Sequence, residues 1–299
     1  MVRAALLLIA SMLLFDVHGQ GTLVEKTLLA AKDSSPVAFA NVFIKNSTVG
    51  TYSNEQGVFT LECDDDDTII ISSIGFEKAT CSCDELNETI LLKESSTVLN
   101  EVVVTSATSG EKMQKLGYLN EKRAGTYIGP KAAALYVEND QQVDANISKV
   151  YFHLSKVKWV YEKPKPKFHK LLVRLKLYEK DPATGKPTDN ILDQNIIGEV
   201  LENQKKITFD IDALNIRFPQ NGIFVGIEFI GYYEDGEFIV FDARDDQKTV
   251  QYQPSFSEKH NKAKSWVRLD YGESWKLFDY SPNMYPNFNF GIEISSPSP

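Results

Sequence analysis

The chain has 299 residues, of which 42% are hydrophobic and 24% charged, and its formal net charge at pH 7 is −9. This length accommodates two domains of ordinary size. The acidic balance argues against nucleic acid as a partner, because proteins that bind nucleic acid usually carry a basic surface.

Residues 1–19 have the pattern of a secretory signal peptide. Arg3 precedes an apolar run over residues 4–15, and His18-Gly19 offers a small-residue cleavage site. The run is too short to span a bilayer as a mature helix, and no later apolar run approaches the ~18 residues that a span requires. We therefore expect an exported protein without a transmembrane segment in the mature chain.

Residues 20–105 predict short antiparallel strands separated by turns. Val37 to Ile44 carries apolar residues at strand spacing, and Asn54-Glu55-Gln56-Gly57 predicts a tight turn with a positive φ at Gly57. The β-branched run Thr68 to Ile74 is typical of a buried strand. Together these signals predict a small β-sandwich.

Three cysteines lie in this first domain, at Cys63, Cys81 and Cys83. An exported compartment permits a disulfide, and Cys63 could pair with either Cys81 or Cys83. The alternative is a metal site, but three cysteines with no nearby histidine are an incomplete ligand set for structural zinc. We therefore expect no cofactor.

Residues 106–124 differ in composition from both flanking regions. Thr105 to Gly110 is small and polar, and Glu111 to Arg123 is rich in basic residues and poor in apolar ones. This composition predicts a linker with one short helix, and hence two separable domains.

The chain from residue 125 to 295 is again rich in strand patterns. Leu171, Val173, Leu175 and Leu177 alternate with polar residues, which predicts a strand with one buried face and one solvent face. About ten such strands predict a jelly-roll-like β-sandwich. The expected fold class is all-β, with a signal peptide at 1–19, sandwiches at 20–105 and 125–295, a linker at 106–124 and a tail at 296–299.

No catalytic residue is predicted. The mature chain keeps His153, His169 and His260, which fall on separate segments, and the sequence lacks a nucleophile elbow, a zinc-protease motif and a phosphate-binding loop. We therefore expect the protein not to be an enzyme.

Two clusters are candidates for ligands. Asp242, Asp245 and Asp246 have a spacing that lets a loop curl round calcium, although a solvated loop is the simpler interpretation. Trp275 and Tyr271 flank a polar turn, and Tyr285 follows in a proline-bearing loop. These rings form either an exposed platform for a glycan or part of the sandwich core.

A set of residues in the first domain resembles the carboxypeptidase regulatory-like domain family. The matching motifs are a Pro-apolar-x-x-Ala-x-Val strand, a Gly-Thr hairpin that ends in Gly-x-Phe, an Ile-Gly-Phe strand and the run Leu-Asn-Glu-Val-Val-Val. The resemblance covers roughly residues 22–105 and implies a non-catalytic, transthyretin-like β-sandwich. Members of this family occur beside peptidases and in front of outer-membrane receptors of certain Gram-negative bacteria. The matching residues are Pro36, Ala40, Val42, Gly50, Thr51, Ser53, Asn54, Gly57, Phe59, Ser73, Ile74, Gly75, Phe76 and residues 99–104.

The resemblance places the protein in the bacterial cell envelope, in the periplasm or at the outer membrane or cell surface. We expect a non-catalytic binding or assembly protein whose partner is an envelope protein or a glycan. One alternative is an accessory or degenerate envelope hydrolase. Another is a component coupled to a TonB-dependent outer-membrane system, because Glu101 to Thr105 resembles the extended box that engages TonB, although a terminal strand or tether is the simpler interpretation.

Overall fold

The computed structural model describes most of the chain beyond the predicted signal peptide. Within the described ranges, every regular element except one short 3-10 helix, Asp212–Leu214, is a β-strand, which confirms the predicted all-β class. No helix in these ranges has the length and apolar character needed to cross a bilayer. The described residues are 21–95, 112–119, 122, 124–126, 130–156, 170–201, 203–240, 252–260, 262–272, 274–278 and 285–296.

The first domain consists of two sheets that pack on each other. One has the strand order β4-β1-β7 and the other β3-β2-β5-β6. Their inward side chains, among them Leu28, Val42 and Ile69, form one apolar cluster, so the domain is a β-sandwich. Its strands are β1 (Thr22–Ala30), β2 (Asn41–Ile44), β3 (Gly50–Tyr52), β4 (Val58–Cys63), β5 (Thr68–Ser72), β6 (Ala79–Ser82) and β7 (Thr89–Leu92).

The turn before β4 has the predicted backbone conformation. Gly57 has a φ of 77°, and the Asn54 side-chain oxygen accepts hydrogen bonds from the backbone N–H groups of Gln56 and Val58. A Cβ at Gly57 would lie 2.4 Å from the carbonyl oxygen of Leu28. Glycine is therefore required here by both backbone conformation and space.

A disulfide joins the end of β4 to the segment that follows β6. It pairs Cys63 with Cys83 across a Cα–Cα distance of 6.3 Å, one of the two pairings that the sequence left open. Cys81 is a free, half-buried thiol.

The second domain is also built from two facing sheets. An eight-stranded sheet runs β13-β12-β16-β10-β19-β20, with β14 and β17 pairing at its side, and a seven-stranded sheet runs β21-β18-β11-β22-β8 with β15 and β9. Residues of both sheets share one large core. The strands are β8 (Lys112–Gly117), β9 (Gly125–Thr126), β10 (Ala132–Val137), β11 (Asn146–Lys156), β12 (Lys170–Lys180), β13 (Pro187–Asn190), β14 (Ile197–Leu201), β15 (Lys206–Asp210), β16 (Ile223–Glu234), β17 (Glu237–Val240), β18 (Tyr252–His260), β19 (Ser265–Arg268), β20 (Lys276–Leu277), β21 (Tyr285–Phe288) and β22 (Phe290–Ser296). The jelly-roll description of this sandwich stays a prediction.

The predicted linker is wrong in its extent, because its residues 112–117 are a strand and not a helix. Residues 112–117 form β8, which pairs antiparallel with β22 at the edge of the seven-stranded sheet. Leu116 packs against the core, while Lys112 and Lys115 point to solvent. Lysines are well tolerated on an edge strand, which explains why a basic, weakly apolar sequence forms one.

Candidate functional site at the junction of the two domains

The outer face of the eight-stranded sheet carries the most unusual chemistry of the described residues. Leu171, Leu175 and Leu177 on β12 point into the core, and Arg174, Lys176 and Tyr178 point the other way, as alternation predicts. This outer face is not a solvent face, however. Arg174 is only 2% exposed because the first domain packs on the sheet at this point, so the predicted solvent exposure is wrong.

The strand register brings three charged residues together in one row across the sheet. Arg174 lies opposite Glu228, Glu228 opposite Ala132, and Ala132 opposite Arg268. Arg174 Nη1 donates to Glu228 Oε2 at 3.0 Å, and Arg268 Nη2 donates to Glu228 Oε1 at 2.9 Å. The small side chain of Ala132 leaves room for Arg268 to reach across to the carboxylate.

Lys176 adds a third cation, with its Nζ 3.8 Å from Glu228 Oε2. Burial alone would raise the pKa of Glu228, but the charges of Lys176, Arg174 and Arg268 lower it to about 2. Burial lowers the pKa of Lys176 to about 8, and the neighbouring arginines act in the same direction against the attraction of Glu228. Glu228 is therefore ionised at neutral pH, and Lys176 is poised to lose its proton in mildly alkaline solution.

A fourth cation, Lys131, lies just before β10 and is 2% exposed. Its Nζ donates to the Tyr271 hydroxyl at 2.6 Å, and it lies 3.9 Å from the Tyr271 ring centroid and 4.3 Å from that of Tyr52. The ammonium group is thus held between two aromatic faces. One of these rings belongs to the first domain and the other to the second.

Further contacts fix the first domain against this face. Arg174 Nη2 donates to the carbonyl oxygen of Phe39, and the Tyr233 hydroxyl donates to Glu55 Oε1 at 2.7 Å. An apolar cluster crosses the junction as well, built on Phe39, Tyr52, Leu172 and Ile230. We name the charged part of this interface the junction cluster: Arg174, Lys176, Glu228, Arg268, Lys131, Tyr52 and Tyr271.

The three aromatic residues proposed from sequence lie in different surroundings. Tyr271 belongs to the junction cluster. Trp275 lies beside it, edge-on to Tyr178 at 5.4 Å between centroids and with the Arg268 guanidinium 5.5 Å from its ring. Tyr285 is half-buried on β21, in the other sheet, opposite His260.

Trp275 is 8% exposed, which favours the core alternative for this ring over the exposed platform. Its ring packs over Ala132 and Ala134, whose small side chains leave space above the sheet, and Phe224 closes the same cluster. A role for the three rings in binding a ligand stays a prediction.

The structure says little about the aspartates and histidines that the sequence singled out. Asp242, Asp245 and Asp246 lie outside the described residues, as does His169. Among the residues that the structure does describe, no three His, Cys, Asp or Glu side chains form a group suited to a metal ion. His153 is half-buried on β11, and burial, together with Lys206, lowers its pKa.

One Ser–His contact is present in the seven-stranded sheet. Ser257 Oγ lies 3.0 Å from His260 Nε2, and the His260 ring contacts Tyr118 with 4.3 Å between centroids. Ser257 is buried, which limits the access of any substrate to its hydroxyl.

Sequence reasoning missed the junction cluster, although one signal for it was present. Glu228 is the single charged residue within the first ten residues of β16, all of which are buried. Buried carboxylates are nearly always paired, so an isolated glutamate in an apolar strand predicts cations on the neighbouring strands.

Two comparisons with known proteins concern the first domain. Residues 27–104 match the model of the CarboxypepD_reg-like domain family. The TonB-dependent receptor SusC of Bacteroides thetaiotaomicron is 33% identical over 106 residues, a stretch that covers 35% of this chain and 10% of the receptor. The β-sandwich of the first domain agrees with this match, and residues 27–104 are therefore a CarboxypepD_reg-like domain.

Proposed function

We propose that the protein is a non-catalytic binding or assembly protein of the bacterial cell envelope, associated with a TonB-dependent outer-membrane system. The observation that carries this proposal is the CarboxypepD_reg-like domain at residues 27–104 and its similarity to part of a TonB-dependent receptor. The similarity spans only a small fraction of that receptor, so a shared domain is the basis of the proposal.

The way the domain is held supports an assembly role. Buried charges, a hydrogen bond to the Phe39 carbonyl and an apolar cluster fasten it to the second sandwich. Leu91 on β7 is exposed, and it pairs with the half-buried Leu29 on β1 of the sheet β4-β1-β7. These two neighbouring leucines form a small apolar patch on a firmly held module, which suits contact with another envelope protein.

Expression of the protein in cells tests both its export and the identity of its partner. The full chain is expected in the envelope fraction with residues 1–19 removed, whereas a variant lacking residues 2–19 stays in the cytosol. A photo-crosslinking residue at Leu91 is expected to capture a TonB-dependent receptor, and the same residue at Met113, exposed on the second domain, is not. An uncleaved cytosolic protein, or equal crosslinking from both positions, would contradict the proposal.

A more specific proposal is that the envelope partner includes a glycan. It would bind where Trp266 and Trp275 lie on the eight-stranded sheet. Trp266 is half-buried, lies on β19 and contacts Phe224 beside Trp275. A sugar ring stacks on such an indole, and neighbouring polar side chains hold its hydroxyl groups. Trp266→Ala is expected to lose retention on a polysaccharide gel with a small change in melting temperature. Retention equal to that of the unmodified protein would remove the glycan from the proposal.

A degenerate or accessory hydrolase is the second candidate, favoured by the contact between Ser257 and His260. Ser257→Ala decides between the two functions when ester and amide hydrolysis are measured on the full chain. The binding function predicts no turnover in either protein. Turnover that disappears in the variant would establish the hydrolase.

A further inference from the structure

Three buried hydrogen-bonding groups of the junction cluster lack an acceptor. They are Arg174 Nε, Arg268 Nε and the Tyr52 hydroxyl, none of which has a hydrogen-bond partner in the structure. Leaving a buried donor unsatisfied is costly, and buried side-chain donors in folded proteins are nearly always paired. Three such donors in one cluster therefore need a common explanation.

Glu228 is the one carboxylate among the seven residues named as the junction cluster. Four cations lie around Glu228, and all four lower the pKa of that carboxyl group. The two oxygens of Glu228 are already engaged by the Nη atoms of Arg174 and Arg268. Deprotonation of Lys176 would remove one positive charge but would supply no acceptor to the Nε groups of the arginines.

We propose that the junction cluster is a binding site for a small monovalent anion, either a halide or a carboxylate group. An anion accepts several hydrogen bonds at once and is attracted by the two arginines, so it would supply an acceptor to the buried donors that lack one. Arginine is suited to this role because its planar guanidinium offers donors on more than one edge.

The site draws its groups from both domains. Tyr52 belongs to β3 of the first domain, whereas Arg174 and Arg268 belong to β12 and β19 of the second. The Arg174 guanidinium lies 5.7 Å from the Tyr52 ring centroid, and the charges of Arg174 and Arg268 both act on the Tyr52 hydroxyl. Binding of the anion therefore strengthens the docking of the two domains.

The test is thermal unfolding of the full chain at constant ionic strength, with sodium methanesulfonate replaced stepwise by sodium chloride, formate or galacturonate. A ligand that binds only the folded state raises the melting temperature with its concentration. We expect a saturable rise with chloride or formate. A rise with galacturonate but not with neutral galactose would identify the carboxylate of an acidic sugar as a source. No difference among the salts would overturn the proposal.

Two substitutions test whether the anion raises the melting temperature by binding at the junction cluster. Arg268→Lys keeps the charge but removes the Nε donor, and Tyr52→Phe removes only the unpartnered hydroxyl. Arg268→Lys also removes the Nη2 donor to Glu228, but each variant removes only one of the donors assigned to the anion, so we expect the apparent affinity to fall about 3- to 10-fold. The matched controls are Arg217→Lys, an exposed arginine 2.7 Å from Asp144, and Tyr151→Phe, whose hydroxyl already donates to Glu293. If the melting temperature of both test variants rises with the anion as it does in the unsubstituted protein, the junction cluster is not the binding site. The same holds if the control variants lose as much apparent affinity as the test variants.

Discussion

The two faces of strand β12 are both buried, but they are buried in different ways. Its inner face contributes Leu171, Val173, Leu175 and Leu177 to the sandwich core, and its outer face places Arg174 and Tyr178 against the first domain and Trp275. The inner face is stabilised by packing and by removal of apolar surface from water. The outer face is nearly as well covered at Arg174 and Tyr178, yet it depends on paired charges. A polar strand face therefore does not imply a solvent face when a second domain packs on it.

The difference has an energetic consequence. A buried ion pair gives little net stability, because desolvation offsets the attraction, but removal of one partner leaves an uncompensated charge. The inner face favours a compact sandwich in general, whereas the row of Arg174, Glu228 and Arg268 fixes one position of the first domain. The predictions below compare the two faces.

The largest effect is expected for Glu228→Gln. This variant keeps the shape of the side chain and leaves the neighbouring cations without their carboxylate, so it should lower the free energy of unfolding by ~3–5 kcal/mol. Leu175→Ala on the inner face should cost a similar ~2–5 kcal/mol. Glu199→Gln is the control, because its partner Lys170 lies at the surface. Urea unfolding measures all three, and a cost for Glu228→Gln as small as for the control would show that the outer face is solvated.

Trp275→Ala tests the burial of the aromatic end of the outer face. Because the ring is packed over Ala132 and Ala134, its removal should cost ~3–5 kcal/mol, as for a core tryptophan. Differential scanning calorimetry gives the change. An unchanged melting temperature would instead favour the exposed glycan platform predicted from sequence.

The pH dependence of stability reports on Lys176. Its pKa is about 8 in the folded protein against an ordinary value of 10.5 for lysine, so the unfolded chain binds more protons between these values. Stability should therefore rise with pH in this window, by at most ~3 kcal/mol over its whole width. Urea midpoints at pH 7.5 and pH 9.5 should differ in the unmodified protein and much less in Lys176→Met. An equal rise in both would assign the effect to other groups.

The smallest effect concerns a position remote from both faces. Gly57→Val should destabilise the first domain by on the order of 1 kcal/mol or more, because valine tolerates a positive φ poorly and its Cβ would meet the Leu28 carbonyl. Thermal unfolding of the full chain tests this. A melting curve identical to that of the unmodified protein would contradict the turn assignment.

Features that depend on local sequence were predictable. The turn at Gly57 follows from its own residues, and the strand Lys206–Asp210 follows from the alternation of polar and apolar residues. Family motifs identified the first domain. The alternation of β12 correctly separated its two faces.

Features that depend on contacts between distant segments were not predictable. Nothing local to Arg174 shows that the Phe39 carbonyl will lie above it, 135 positions away in the chain. The basic composition of residues 112–117 concealed an edge strand whose partner is β22. The choice of Cys83 over Cys81 depended on strand register, which the sequence left open.

If the first domain seals the outer face of the eight-stranded sheet, lysine acetylation of the native full chain should distinguish the lysines beneath it from those at the surface. Lys131 lies between the rings of Tyr52 and Tyr271, whereas the Lys32 side chain on the first domain is 76% exposed. Mass spectrometry after brief exposure to an acetylating reagent should show Lys32 modified and Lys131 protected, with protection lost in urea. Modification of Lys131 at the same rate as Lys32 in the native protein would show that the first domain does not cover this face of the sheet.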